Sequence, residues 1–115
     1  MSSTQNEGGE ALSYYSNAET LAKSSYGENH PITANAYNRM GRYYLQTGEY
    51  DLAKRYFENA IEIRKNILGY NHVSTIEYLD NLAEASGALT DEIGKVETKK
   101  EANSLRDELG IKNKK

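Results

Sequence analysis

The chain contains no cysteine and no tryptophan, and it has a single proline. Without cysteine it can form no disulfide bond, has no thiolate nucleophile and cannot bind zinc through cysteine ligands. It also lacks any run of ten apolar residues, so the sequence predicts no transmembrane span and no membrane partner. The first ten residues, MSSTQNEGGE, lack the basic and apolar regions of a signal peptide. These absences predict a cytoplasmic protein whose stability comes from burial alone.

Large hydrophobic side chains are also few. Leu, Ile, Val and Phe make up 20 of the 115 residues, whereas Ala and Tyr contribute 11 and 10. So low a fraction is typical of disordered chains when the net charge is high, but 14 basic and 17 acidic residues leave a net charge of only −3. Composition therefore leaves foldedness open, and the length allows one domain at most. The sequence pI near 5.4 gives no electrostatic reason to expect a nucleic acid partner.

The most informative feature of the sequence is an internal repeat. A shift of 42 residues aligns 11–41 with 53–83 and yields nine identities, where random pairing would give about two. A weaker third copy follows if one residue is deleted, since Leu109 and Gly110 fall 41 residues after Leu68 and Gly69. The chain is thus built from a unit of about 42 residues. The identical pairs are Ala11/Ala53, Tyr14/Tyr56, Asn17/Asn59, Ala18/Ala60, Lys23/Lys65, Gly27/Gly69, Asn29/Asn71, His30/His72 and Thr33/Thr75.

The sequence of each unit predicts a helical hairpin. Apolar residues recur at helical spacing on both sides of a break at Thr47 and Gly48, and Gly69 suits the position just past a helix end. An Asn-His pair precedes each first helix and is followed once by Pro31, where a first helical turn tolerates it. The predicted helices cover residues 10–25, 33–46, 49–68, 73–86 and 91–109, and the last has an irregular apolar stripe. Five helices in series form a short solenoid over 10–110, flanked by a disordered tail over 1–9 and a basic tail over 111–115.

One complete unit resembles the tetratricopeptide repeat family. The family's pattern of aromatic, large apolar, small and glycine positions is met by Tyr37, Met40, Gly41, Tyr44, Gly48, Ala53, Phe57 and Ala60. The longer period, with YGENHPIT at 26–33 and LGYNHVST at 68–75, is similar to the variety found in kinesin light chains. The resemblance implies an all-α, right-handed superhelical solenoid of antiparallel helix pairs. It also implies a scaffold that binds proteins, although the variety occurs with many unrelated partners.

The resemblance assigns a candidate binding groove. In the family, the first helix of each unit lines a concave surface through its second, fifth, sixth, ninth and twelfth positions. One unit then presents basic residues and the next presents acidic ones, so we expect a peptide partner with charges of both signs. The alternative is a solvated helix face with no binding role. The assigned residues are Asn35, Asn38, Arg39, Arg42, Leu45, Glu77, Asp80, Asn81, Glu84 and Gly87.

Residues that could carry chemistry are sparse. His30 and His72 recur at the repeat period, which places them on the order of 10 Å apart and too far to share one metal ion. They are better interpreted as turn residues or helix caps. The sequence has no Ser/His/Asp set, phosphate-binding glycine loop or HExxH motif. We therefore expect no enzyme, no catalytic residue, no metal and no cofactor.

The tyrosines and the chain ends leave a second class of function open. Tyr14, Tyr37, Tyr44 and Tyr56 fall on repeat packing positions, and most of them are predicted to lie in the core. The other tyrosines are less clearly assigned, and an exposed tyrosine can anchor a second copy of the chain. The helix over 10–25 is the second helix of an incomplete unit. A homo-oligomer, or a piece of a longer repeat array, is therefore the alternative to a module that binds a peptide.

Overall fold

A computed structural model describes residues 4–67 and 69–111, with side chains from residue 9 onward. These residues form helices joined by short turns and contain no strand, so the all-α prediction is confirmed. Every predicted helix is present, although most are a residue or two longer or shorter than expected. The helices are α1 (Thr4–Tyr26), α2 (Pro31–Thr47), α3 (Tyr50–Asn66), α4 (Val73–Ala88) and α5 (Glu92–Glu108).

The first helix begins earlier than the sequence suggested. The prediction placed a tail over 1–9, but α1 begins at Thr4 and runs through Gly8 and Gly9. A glycine inside a helix costs only about 1 kcal/mol relative to alanine, which is too little to end the helix. The rest of that tail, at 1–3, and most of the predicted basic tail, at 112–115, lie outside the described residues.

Each histidine caps the N-terminus of the first helix of one unit. His30 is the N-cap of α2, and its Nδ1 accepts a hydrogen bond of 3.0 Å from the backbone N–H of Ile32. His72 caps α4 in the same way, with Nδ1 3.0 Å from the N–H of Ser74. Each imidazole thus satisfies a backbone donor that the helix leaves unpaired. The prediction of helix caps is confirmed at both positions.

Small and aromatic residues fit together where α2 meets α3. A Cβ atom placed on Gly41 would lie only 2.5 Å from Cε1 of Phe57, so the two backbones approach through a position that has no side chain. Phe57 is 0% exposed and packs with the equally buried Ala53 and with Ala85 of α4. Small residues therefore admit the ring, as close packing requires.

The helices form two layers. Each helix packs on the one before and the one after it, and only α2 and α4 also touch across a unit. The shortest dimension of the molecule, 21 Å, is about two helix diameters. Since α2 and α4 touch, they form the inner layer, which the family resemblance predicts to be concave, while α1, α3 and α5 form the outer layer.

The third copy follows the same period as the others. Tyr50–Asn66 and Glu92–Glu108 are 42 residues apart at both ends. Ala60 and Ala102 are both 0% exposed in this register, so the burial pattern matches as well. The one-residue deletion expected from the Leu-Gly pairs is therefore wrong. With a shift of 42 residues, Gly110 corresponds to Leu68, so the second Leu-Gly pair lies one residue out of the register of the helices.

Candidate functional site

The predicted groove residues of α2 and α4 meet at one cleft, and those of α4 also line a second cleft. A cleft of about 220 Å³ between the two helices is lined by Arg42, Leu45, Gln46, Asn81 and Glu84. A larger cleft of about 680 Å³ lies between α4 and α5. Glu84 borders both, so the two clefts form one continuous surface. The larger cleft is lined by Asp80, Glu84, Gly87, Ala88, Lys95, Lys99, Asn103 and Arg106.

A short chain of hydrogen bonds supports the floor of this groove. Asn81 Nδ2 donates to Asn38 Oδ1 over 2.9 Å, and Asn38 Nδ2 donates to Glu77 Oε2 over 3.1 Å. Asn38 and Asn81 are only 5% and 7% exposed. The two amides, which were expected to face a partner, therefore hold α2 against α4. Arg39, Arg42 and Glu84 are exposed and offer their charges to solvent.

A buried tyrosine makes a second link between the same helices. Tyr78 is 0% exposed, and its hydroxyl donates a hydrogen bond to Asn35 Oδ1. Burial raises the pKa of Tyr78 above its ordinary value, while the nearby guanidinium of Arg64 opposes the shift. The phenol is consequently neutral at physiological pH and acts as a donor. The sequence left Tyr78 unassigned because its pattern does not show how closely α4 approaches α2.

An ion pair ties the acidic side of the groove to α5. Arg106, 5% exposed, donates to Asp80 and also to Asn103 Oδ1 at 2.8 Å. Asp80 is thus partly neutralised by a residue that the groove prediction missed. Lys95 and Lys99 add positive charge to the same cleft. The acidic residues of α4 therefore face positive charge from α5, which the expected division between a basic α2 and an acidic α4 did not include.

The repeat could have identified Arg106. In the 42-residue register it corresponds to Arg64 of α3, which is also buried. Lys95 and Lys99 instead correspond to Ala53 and Phe57, so no repeat signal marks them as groove residues.

Replacing Asn81 with alanine is expected to destabilise the protein by about 1–3 kcal/mol, because a buried acceptor on Asn38 loses its donor. The groove assignment alone predicts a change within about 0.5 kcal/mol, because it places Asn81 on the surface. Urea unfolding of the variant and of Asn17→Ala, at an exposed position of α1, measures the difference. Equal midpoints for the two variants would mean that the amide bond between α2 and α4 contributes nothing.

Two further properties follow from the described parts of the chain. Within 4–67 and 69–111, no helix is long and apolar enough to cross a membrane. Among those same residues, no group of three or more His, Cys, Asp or Glu side chains could hold a metal ion.

Comparison with known proteins agrees with this architecture. The sequence model of the tetratricopeptide repeat family matches residues 5–66 and again residues 44–91. Together the two matches cover well over half of the chain.

Individual relatives are much longer proteins. Protein KINESIN LIGHT CHAIN-RELATED 3 of Arabidopsis thaliana is 41% identical over 54 residues, which are 47% of this chain and 8% of that protein. Protein KINESIN LIGHT CHAIN-RELATED 1 of the same plant is 41% identical over 54 residues, 47% of this chain and 9% of its own length. A Clustered mitochondria protein homolog of Aspergillus niger is 29% identical over 101 residues, 87% of this chain and 8% of that protein. The chain thus spans about a tenth of the length of the curated relatives it matches.

Proposed function

Because the chain belongs to the tetratricopeptide repeat family, we propose that it is a non-catalytic interaction module that holds a segment of a partner protein. The segment lies in the concave groove of α2 and α4. The observation that carries this proposal is the arrangement of exposed charged side chains over a buried, hydrogen-bonded floor formed by Asn38 and Asn81. Such a floor keeps the receptor in one geometry, so little ordering entropy is lost when a partner binds.

The charges of the groove favour a particular orientation of the partner. Arg39 and Arg42 are exposed on α2, so they attract acidic groups of the segment. Glu84 is exposed on α4 beside both clefts and attracts a basic group. Complementary charges of this kind raise specificity and association rate more than affinity. The proposed partner is therefore a protein segment with acidic residues over α2 and a basic residue near Glu84.

Selection from a phage-displayed library of random peptides tests the proposal. The immobilised wild-type protein is expected to enrich peptides whose affinity falls by about tenfold or more when Arg42→Glu reverses a groove charge. Fluorescence anisotropy with the enriched peptides gives the dissociation constants.

Arg55→Glu is the matched control, since Arg55 is an exposed arginine on α3 of the outer layer. It should leave the affinity unchanged. Peptides that bind both variants equally, or a selection that enriches none, would contradict the groove proposal.

A further inference from the structure

The first helix carries apolar side chains that the described residues leave largely exposed. Tyr14 and Leu21 of α1 are 65% and 66% exposed. Ala11 and Ala18, which lie on the same side of the helix at helical spacing, are only partly buried. Tyr14 is therefore not among the core tyrosines, although it falls on a repeat packing position. We call Ala11, Tyr14, Ala18 and Leu21 the open face.

The internal repeat shows what covers the equivalent residues elsewhere in the chain. Tyr56 of α3, the counterpart of Tyr14, packs its ring on Tyr44 and Tyr37 of α2, with centroids 5.8 and 5.9 Å away. Ala60, the counterpart of Ala18, is 0% exposed, and Ile63, the counterpart of Leu21, is 5% exposed. The first helix of the same unit therefore covers these positions.

The packing of α1 on its neighbouring helices explains why its open face is exposed. The third helix packs on both α2 and α4, whereas α1 packs on α2 alone. On the side that faces α2, Ala22 is 4% exposed, and its counterpart Arg64 is 6% exposed. The contact with the next unit is thus complete, and among the described helices none packs on α1 as α2 packs on α3.

The opposite end of the solenoid differs. At the positions where α3 has Ala53, Phe57 and Ile61, α5 has Lys95, Lys99 and Asn103. A polar outer face is what ends a repeat array in solution. Lys95, Lys99 and Asn103 therefore make this side of α5 polar, although Ile93 and Val96 of the same helix are 74% and 55% exposed. A head-to-tail stack of copies would place lysines against the open face, which disfavours self-association through the two ends.

We propose that the open face docks an amphipathic helix of another protein, and that the packing side of this helix repeats the pattern of α2. In α2 the pattern is Tyr37, then Gly41, then Tyr44. Its aromatic rings would pack on Tyr14 as those of α2 pack on Tyr56, and its glycine would admit the ring at position 15 as Gly41 admits that of Phe57. This surface is separate from the concave groove and serves a second partner.

A synthetic peptide of residues 31–47 provides the test, because α2 itself covers the equivalent face of α3. The labelled peptide is titrated into the full chain and binding is followed by fluorescence anisotropy. Saturable binding is expected, and Leu21→Lys should weaken it by about tenfold or more. Ile93→Lys changes an apolar side chain that is 74% exposed on α5 and should leave binding unchanged. A peptide with serine in place of Tyr37 and Tyr44, the two tyrosines of the proposed pattern, should bind at least tenfold more weakly.

Several results would overturn this assignment. The first is absence of peptide binding, and the second is binding that Leu21→Lys does not alter. The third is a dimer of the protein alone, seen by light scattering and abolished by Leu21→Lys, because a second copy would then cover the face. Circular dichroism of the variant checks that the helices persist. Arg42→Glu should bind the peptide normally, which separates this site from the groove.

Discussion

Replacing Gly41 with alanine is expected to lower the free energy of unfolding by about 1–3 kcal/mol, although alanine is the better helix former. The added methyl carbon would lie 2.5 and 2.8 Å from Cε1 and Cδ1 of Phe57. That ring is 0% exposed and has little room to move. The helices must therefore separate or the ring must leave its place, and either change loosens the contact between α2 and α3. The midpoint of urea unfolding, with the slope of the transition, measures the loss.

Gly9→Ala is the matched control for this substitution. Gly9 also lies inside a helix, but nothing lies within 4 Å of a Cβ atom built on it. Helix propensity alone then decides the sign, and the variant should gain up to about 1 kcal/mol. If both substitutions shift the midpoint in the same direction, the close approach of α2 and α3 is not what glycine provides at position 41.

Phe57→Ala is expected to cost more, about 3–5 kcal/mol, because it leaves a cavity at the centre of the solenoid. The ring packs with Ala53 and Ala85, both 0% exposed, and partly buried side chains of α2 and α4 surround it. It therefore joins three helices at once. A loss of this size approaches the total stability of many domains, so the unfolding midpoint should fall sharply.

The two substitutions should also be strongly coupled. In the Phe57→Ala background, the methyl group of Gly41→Ala enters the space that the ring has left, so its cost should vanish or change sign. A double-mutant cycle measures this interaction directly, since contacting residues depart from additivity by about 0.5–3 kcal/mol. Additive losses would mean that residues 41 and 57 do not touch in solution.

Much of the fold could be predicted because solenoid packing is local. Gly41, Ala53 and Phe57 contact residues of their own unit or the next, so a pattern within one repeat already specifies the contact. The last helix was harder to place. Lys95 and Lys99 lie where α3 has Ala53 and Phe57. Because α5 lacks these apolar residues, its sequence alone does not show how it aligns with α3, whereas the helix bounds do.

The site could be predicted only in part. The resemblance predicts that α2 and α4 line a groove, and Arg42, Leu45, Asn81 and Glu84 do line one cleft between these helices. It could not show how deeply each side chain is buried, because the burial of Asn38 and Asn81 depends on how closely two units approach. Similarly, the repeat assigned Tyr14 to a packing position but could not show that this side chain is 65% exposed.

Chemical-shift mapping most directly tests the claim that the concave face of α2 and α4 holds the partner. A peptide enriched on the wild-type protein is titrated into the ¹⁵N-labelled chain, and the amide shifts are followed by NMR. The account predicts the largest changes at Arg39, Arg42 and Glu84, which are exposed on that face. Changes confined to the outer helices α1, α3 and α5, with none on α2 or α4, would contradict it.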